Sequence, residues 1–143
     1  MITKPSVNDY ERLIIIWENS VRATHTFITE VDIQHYKPLI VNEYFDAVEL
    51  FCSQDESQRI NGFMGVVENK IEMLFVDACE RGKGIGKKLL TYAVKELNVK
   101  KVDVNEQNIQ AVEFYKYMGF KVVSRSAVDS TGKSYPILSM ELD

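Results

Sequence analysis

Arg81, Gly82, Lys83, Gly84, Gly86, Lys87 and Lys88 follow one another in a single short segment, RGKGIGKK. Glycine at every second position suits a backbone that turns sharply and lets a ligand come close. Ile85, Leu89, Leu90, Ala93, Val94 and Leu97 share one helical stripe, so a helix starts inside the loop. Its unpaired N–H groups face whatever the loop encloses. The helix dipole and the cations Arg81, Lys83, Lys87 and Lys88 act in the same direction, and the chemistry they predict is phosphate binding.

Two familiar phosphate motifs fail on this spacing. A G-x-x-x-x-G-K-[ST] loop is excluded because Lys88 follows Gly86-Lys87 and Arg81 stands where its first glycine belongs. A G-x-G-x-x-G fingerprint is excluded because lysine occupies position 87. A solvated glycine-lysine turn ahead of a surface helix is the plain alternative.

Two further groups of residues could react. In NEQNIQAVEFYKYMGF, Ala111, Phe114, Tyr115 and Met118 lie on one helical face. Such stripes are ordinarily core. A tyrosine there needs a partner for its hydroxyl, and in a cofactor cleft that partner can be a departing sulfur. Glu72 is the only carboxylate in the apolar run Ile71 to Val76 and alternates onto the face of Leu74 and Val76. It suits a base, or a surface glutamate paired with a nearby lysine.

These residues need elements to hold them. A capping-box pattern at Ser6 starts a helix that continues to about Arg22, and a second helix begins near Glu30, after Thr29, with Pro38 expected to kink or divide it. From Ala47 the period is that of strands: AVELFC, INGFMGVV and then Ile71 to Val76, an antiparallel meander. After the glycine-loop helix come a strand over 100–105, a helix over 108–118 closed by Gly119, and strands over 121–127 and 135–141. A helix between the strands ending at Val76 and Asn105 requires that they run parallel. The fold class is α/β (α+β), a mixed, mostly antiparallel sheet of about six strands with helices on both faces, in the order ααβββαβαββ.

With 143 residues, the chain is expected to form a single domain over 1–143. The net charge of -4 argues against nucleic acid and tolerates a cationic substrate. Cys52 and Cys79, far apart, suggest neither a disulfide framework nor a metal site, and no segment has signal-peptide or membrane-span character, so a cytoplasmic protein is expected.

R-x-x-G-x-G after a strand and into a helix resembles the pyrophosphate loop of the GNAT superfamily of N-acetyltransferases. N-x-x-A-x-x-[FL]-Y-x-x-x-G-F resembles its second motif, matched by Asn108, Ala111, Phe114, Tyr115, Gly119 and Phe120. Further segments, Trp17 to Ile28 and RSAVDSTGKSYPILSMEL among them, look like a small bacterial subgroup typified by YjaB. The resemblance implies a splayed strand pair with acetyl-CoA in the gap and direct transfer of its acetyl group to a primary amine of a protein lysine or small molecule. Leu74, Phe75, Val76, Arg81, Gly82, Lys83, Gly84, Ile85, Gly86, Lys87, Asn105, Asn108 and Tyr115 would bind the cosubstrate, with amides around Phe75 and Val76 on the thioester carbonyl. Tyr115 would be the acid and Glu72 the base, directly or through water. His25 and Phe27 fall on the acceptor side, and His25 reads as a substrate contact, an alternative base or a structural hydrogen bonder. Neither histidine has a Cys, Asp or Glu arrangement that suggests a metal, and a monomer or homodimer without nucleic-acid or membrane partners is expected. A module that binds acyl-CoA without turnover is the alternative. One departure is Ala78, where the family usually has proline, and its loss is expected to loosen the lead into the loop.

Overall fold

The computed structural model describes every residue from Met1 to Asp143. Ser6 N–H donates to Asp9 Oδ2 at 2.9 Å, closing one side of the expected capping box. A short 3-10 turn, Val7–Asp9, leads into α1, Tyr10–Thr24, which runs past the expected end at Arg22 and buries Leu13, Ile16, Trp17 and Val21. Thr29 Oγ1 accepts from Asp32 N–H and starts α2, Glu30–Leu39. Pro38 removes one i→i−4 bond, yet α2 passes through it. The chain then widens into a π-helical turn, Ile40–Tyr44, and a last short turn, α3, Phe45–Ala47.

Seven strands form one sheet in the order β1-β2-β3-β4-β5-β7-β6. They are β1 Ile2–Thr3, β2 Glu49–Gln54, β3 Ile60–Val67, β4 Lys70–Val76, β5 Lys101–Asn105, β6 Phe120–Ser126 and β7 Ile137–Leu142. The strand beyond the expected six is β1, whose two residues pair antiparallel with β2 and are too few to show a period. Only β4 and β5 pair parallel, joined through α4, Ile85–Glu96. From β5, α5, Ile109–Tyr117, leads to β6, and Gly119 at φ 101° ends it.

Helices cover both faces of the sheet. Leu89, Leu90 and Ala93 of α4 and Val112 and Tyr115 of α5 pack with Val102 and Met140 on one side. Leu13, Trp17, Ile33 and Phe45 pack with Phe63 on the other. Each fully buried leucine or phenylalanine contributes about 1.5–3 kcal/mol through the water it sheds. Strand β4 serves both layers, with Leu74 and Val76 on the α4 and α5 side and Met73 and Phe75 on the α1 and α2 side.

Two irregularities in β4 open the site. Its register with β3 passes from Gly65↔Met73 to Val66↔Ile71, which leaves Glu72 as the extra residue of a β-bulge. Its pairing with β5 covers only Lys70↔Lys101 and Ile71↔Val102, after which the strands part toward Val76 and Asn105. No helix is long and apolar enough to cross a membrane.

Candidate active site

The parted strands leave a cleft of about 330 Å³. At its mouth Asp77 N–H donates to Asn61 O of β3 at 2.9 Å. Antiparallel residues alternate between bonding the partner and facing away, so Met73 and Phe75 share the β3 side with Asp77. Leu74 and Val76 turn their amides into the gap. The expectation of amides around Phe75 and Val76 therefore resolves into Leu74 and Val76, and the Phe75 amide faces β3.

Gly82 and Gly84 sit at φ 82° and 80°, and a Cβ on either would meet nothing within 4 Å. Glycine is required there by backbone conformation and not by crowding. Gly86 has neither constraint, since a Cβ would stand 3.7 Å from Val76 and 3.8 Å from Phe114 at ordinary contact. What its hydrogen keeps is open space between the end of β4 and α5. Lys88 N–H is the first amide bonded back, to Gly84 O at 3.0 Å. The amides of Ile85, Gly86 and Lys87 thus lie on the unpaired first turn of α4.

Arg81 lines the cleft and donates through Nη2 to Gln110 Oε1 on α5. Its partner is neutral, so the guanidinium charge stays available. Lys83 is paired with Glu80 at 2.6 Å, and Lys87 Nζ lies 5.8 Å from the centre of the Tyr117 ring. Neither lysine side chain lines the cleft, so of these expected cations only Arg81 is aimed at it. An open glycine cradle, free helix-end amides and one uncompensated guanidinium fit a pyrophosphate.

The lead into the loop is tied and not loosened. Ala78 N–H, which a proline would lack, donates to Asn19 Oδ1 of α1 at 3.1 Å. Beside it, buried Asp77 accepts from Arg12 Nη2 at 2.6 Å, from Asn19 Nδ2 at 3.3 Å and from Cys79 N–H at 3.1 Å. Burial works to raise the Asp77 pKa, but the Cys79 N–H and Arg12 outweigh it and leave the carboxyl below its usual range. Arg12 also donates twice to Ile60 O, which fastens α1 to β3.

Tyr115 is buried to 5% exposure, lines the cleft and has no hydrogen-bond partner for its hydroxyl. Burial raises its pKa, so it stays protonated at neutral pH. Asn105 and Asn108 line the same cleft. Asn108 caps α5, its Oδ1 accepting from Ala111 N–H at 3.2 Å, so its Nδ2 points to His25 Nε2 at 3.3 Å. Thr24 spends its one proton on Ser20 O at 2.7 Å, so its oxygen accepts from His25 Nδ1–H at 2.7 Å. The network thereby fixes the tautomer and fills both ring nitrogens. Half-buried His25 is held neutral, its pKa pushed down to about 4 by burial. Phe27 does not line the cleft. It packs against His25 and Tyr135, with ring centres 5.4 and 6.0 Å away.

Glu72 lines the cleft at the bulge, 3.6 Å from Lys70 Nζ. Lys70 is bound more closely by Asp103, at 2.5 Å, and Asp103 chiefly raises the lysine pKa. Glu72 thus has a lysine neighbour and also lines the gap. Gln110, Asp103 and the Arg12, Asn19 and Asp77 group had no local signal in the sequence, since each acts through a partner remote along the chain.

A gap between two parting strands, with an anion-binding helix end beside it, suits an enzyme whose cosubstrate carries a phosphate at one end and reaches between the strands with the other. Comparison with known proteins narrows the class. Residues 20–141 match the acetyltransferase (GNAT) domain. The chain is 41% identical to the peptidyl-lysine N-acetyltransferase YjaB of Salmonella typhimurium strain LT2 over 130 residues, covering 91% of this chain and 89% of the relative. It superposes on the solution structure of apo-form YjaB from Escherichia coli with a TM-score of 0.90 at 35% identity, over 99% of this chain and 95% of the other. The fold also matches a PaiA N-acetyltransferase from Thermoplasma acidophilum solved with coenzyme A, with a TM-score of 0.74 at 24% identity, over 99% and 98% of the two chains. The chain belongs to the GNAT family of acetyltransferases. It is an N-acetyltransferase that takes its acetyl group from acetyl-CoA and passes it to an amine.

Proposed function

We propose that the acceptor is the side-chain amine of a protein lysine and that the transfer is direct. The observation that carries the chemistry is Tyr115, its ring buried and its protonated hydroxyl unpartnered at the gap beside the free amides of β4. The acceptor class rests on likeness to YjaB of Salmonella typhimurium and of Escherichia coli, each a peptidyl-lysine N-acetyltransferase. Arg81, the Gly82 to Gly86 turn and the first amides of α4 hold the pyrophosphate, and Asn105 and Asn108 flank the gap.

A lysine ammonium has a pKa of ~10.4 and must lose a proton before it attacks. Glu72 takes that proton, directly or through water. The nitrogen then bonds to the thioester carbon, while the Leu74 and Val76 amides hold the oxygen as it becomes negative, a contribution of about 3 kcal/mol for one donor. As the C–S bond breaks, Tyr115 protonates the sulfur, and the second nitrogen proton restores the tyrosine. The products are the acetylated amine, free CoA thiol and one proton. With two free cysteines, the enzyme is read as cytoplasmic, where thiols stay reduced.

Thiol release measured with acetyl-CoA and a panel of lysine peptides, N-terminal amines and polyamines tests this reading. Acetylated lysine found by mass spectrometry is the expected result, and turnover confined to the other amines would overturn the acceptor class.

A further inference from the structure

The last paired residues of β4 and β5 are Ile71 and Val102, so Glu72 and Asp103 are the first residues beyond the fork, and both line the cleft. Between them stands an amine of the enzyme's own. Lys70 Nζ lies 2.5 Å from Asp103 Oδ2 and 3.6 Å from Glu72 Oε1. Asp103 is itself held, because Ser139 of β7, its cross-strand partner, donates through Oγ to Asp103 Oδ1 at 2.9 Å. A lysine acetyltransferase must bring its substrate's amine within reach of the base, and a lysine of this chain already lies 3.6 Å from Glu72. What separates Lys70 from a substrate is its second partner, Asp103. The hydrogen bond to Asp103 is the chief cause that raises the Lys70 pKa, and burial opposes it. An ammonium so bound has no lone pair with which to attack.

We propose that Asp103 guards the enzyme against acetylating itself at Lys70, by holding that amine as an ammonium at the edge of the reacting gap. Without the Asp103 charge, Glu72 is the carboxylate left beside Lys70 and takes one proton from it. The free Nζ then bonds to the thioester carbon, the C–S bond breaks, and Tyr115 protonates the departing sulfur. The second nitrogen proton restores the tyrosine, leaving acetylated Lys70, free CoA thiol and one proton. The inference rests on the reading of the chain as a lysine acetyltransferase with Glu72 as base and Tyr115 as acid.

Its test incubates the parent and Asp103→Asn with acetyl-CoA and no acceptor, and maps the acetyl groups by mass spectrometry. Asparagine keeps an acceptor for Ser139 and removes the charge. Lys70 should be acetylated about 10-fold faster or more in the variant than in the parent. Lys121, paired with Asp143 at 2.8 Å on the outermost strand, measures uncatalysed acetylation and should be modified equally in both. Adding Tyr115→Phe to Asp103→Asn should remove the excess at Lys70. Calorimetry with acetyl-CoA shows that the variant is folded, and Asp103→Ser, with the same expectation, replaces it if it does not bind. Lys70 modified no faster without the aspartate, or as fast with phenylalanine at 115, would overturn the guard role and leave acetylation of lysine peptides by the parent standing. A parent that accepts no lysine peptide would overturn the lysine reading itself, and the guard role with it.

Discussion

His25 Nε2, at the end of α1, lies 3.3 Å from Asn108 Nδ2, at the cap of α5. The histidine lone pair is occupied by that donor, and its other nitrogen by Thr24. His25 is thus the structural hydrogen bonder among its expected roles, bridging the acceptor-side helix to the helix that carries Tyr115. In the proposed mechanism, proton acceptance at the reacting amine is assigned to Glu72.

The bridge predicts a pH response. Above the usual histidine pKa of 6.5 both folded and unfolded chains leave His25 neutral, and the residue adds no pH dependence. Below it the unfolded chain gains a proton that the folded chain, with its pKa near 4, refuses. Stability should therefore fall as pH drops from 6.5 toward 4, by at most ~3 kcal/mol from this group. Urea titrations across this range should show a steeper loss in the parent than in His25→Gln. Parallel slopes would remove His25 from the account.

Tyr115→Phe separates catalysis from folding. The hydroxyl makes no hydrogen bond, so its loss should move Tm by less than about 3 °C. The ring keeps its contacts with Phe114 and Phe120. Thiol release should nevertheless fall about 100-fold in kcat at unchanged acetyl-CoA affinity, the size expected for a lost general acid. Parent-like kcat in the phenylalanine variant would assign the proton to water.

Arg81→Ala tests the pyrophosphate assignment. Its bond to Gln110 is solvent-exposed and costs little to lose. A charge-assisted bond to phosphate is worth about 1.5–3 kcal/mol, so the acetyl-CoA KM should rise 10-fold or more with Tm nearly constant. Gln110→Ala should leave that KM within about 2-fold, because the arginine loses only its resting partner.

What the sequence made legible was local. The glycine loop, the stripe of α4 and the cap and C-terminal glycine of α5 are each specified by neighbours a few residues apart, and each stands within a residue or two of where it was expected. What it hid was the pairing of distant side chains. Arg12 meets Asp77, Asn19 meets Ala78 and His25 meets Asn108 only once α1 lies against the sheet. Glu72 shows why pattern alone was insufficient. Alternation put it on one face of a strand, whereas the bulge sets it out of register at the edge of the cleft.

The tie at the loop lead gives the last prediction. Ala78 looked like a loss of rigidity because proline was missing, yet its N–H is held by Asn19, and Asn19 also bonds Asp77. Asn19→Leu leaves a buried carboxylate short of one donor and an amide short of its acceptor, at a cost of about 1–3 kcal/mol. Arg12→Met removes the cation from an ion pair whose aspartate side chain is 7% exposed, and should cost about 3–5 kcal/mol. Because the Asp77 pKa is depressed, the stability it contributes is present above the usual carboxylate range and is lost as pH falls through the folded value. Arg12→Met should therefore flatten the acid limb of the stability curve as well as lower its plateau. Ala78→Pro supplies the missing rigidity but removes the donor to Asn19, so it should lower Tm and weaken acetyl-CoA binding together. A Tm raised by Ala78→Pro would mean that the Asn19 contact does not hold the loop.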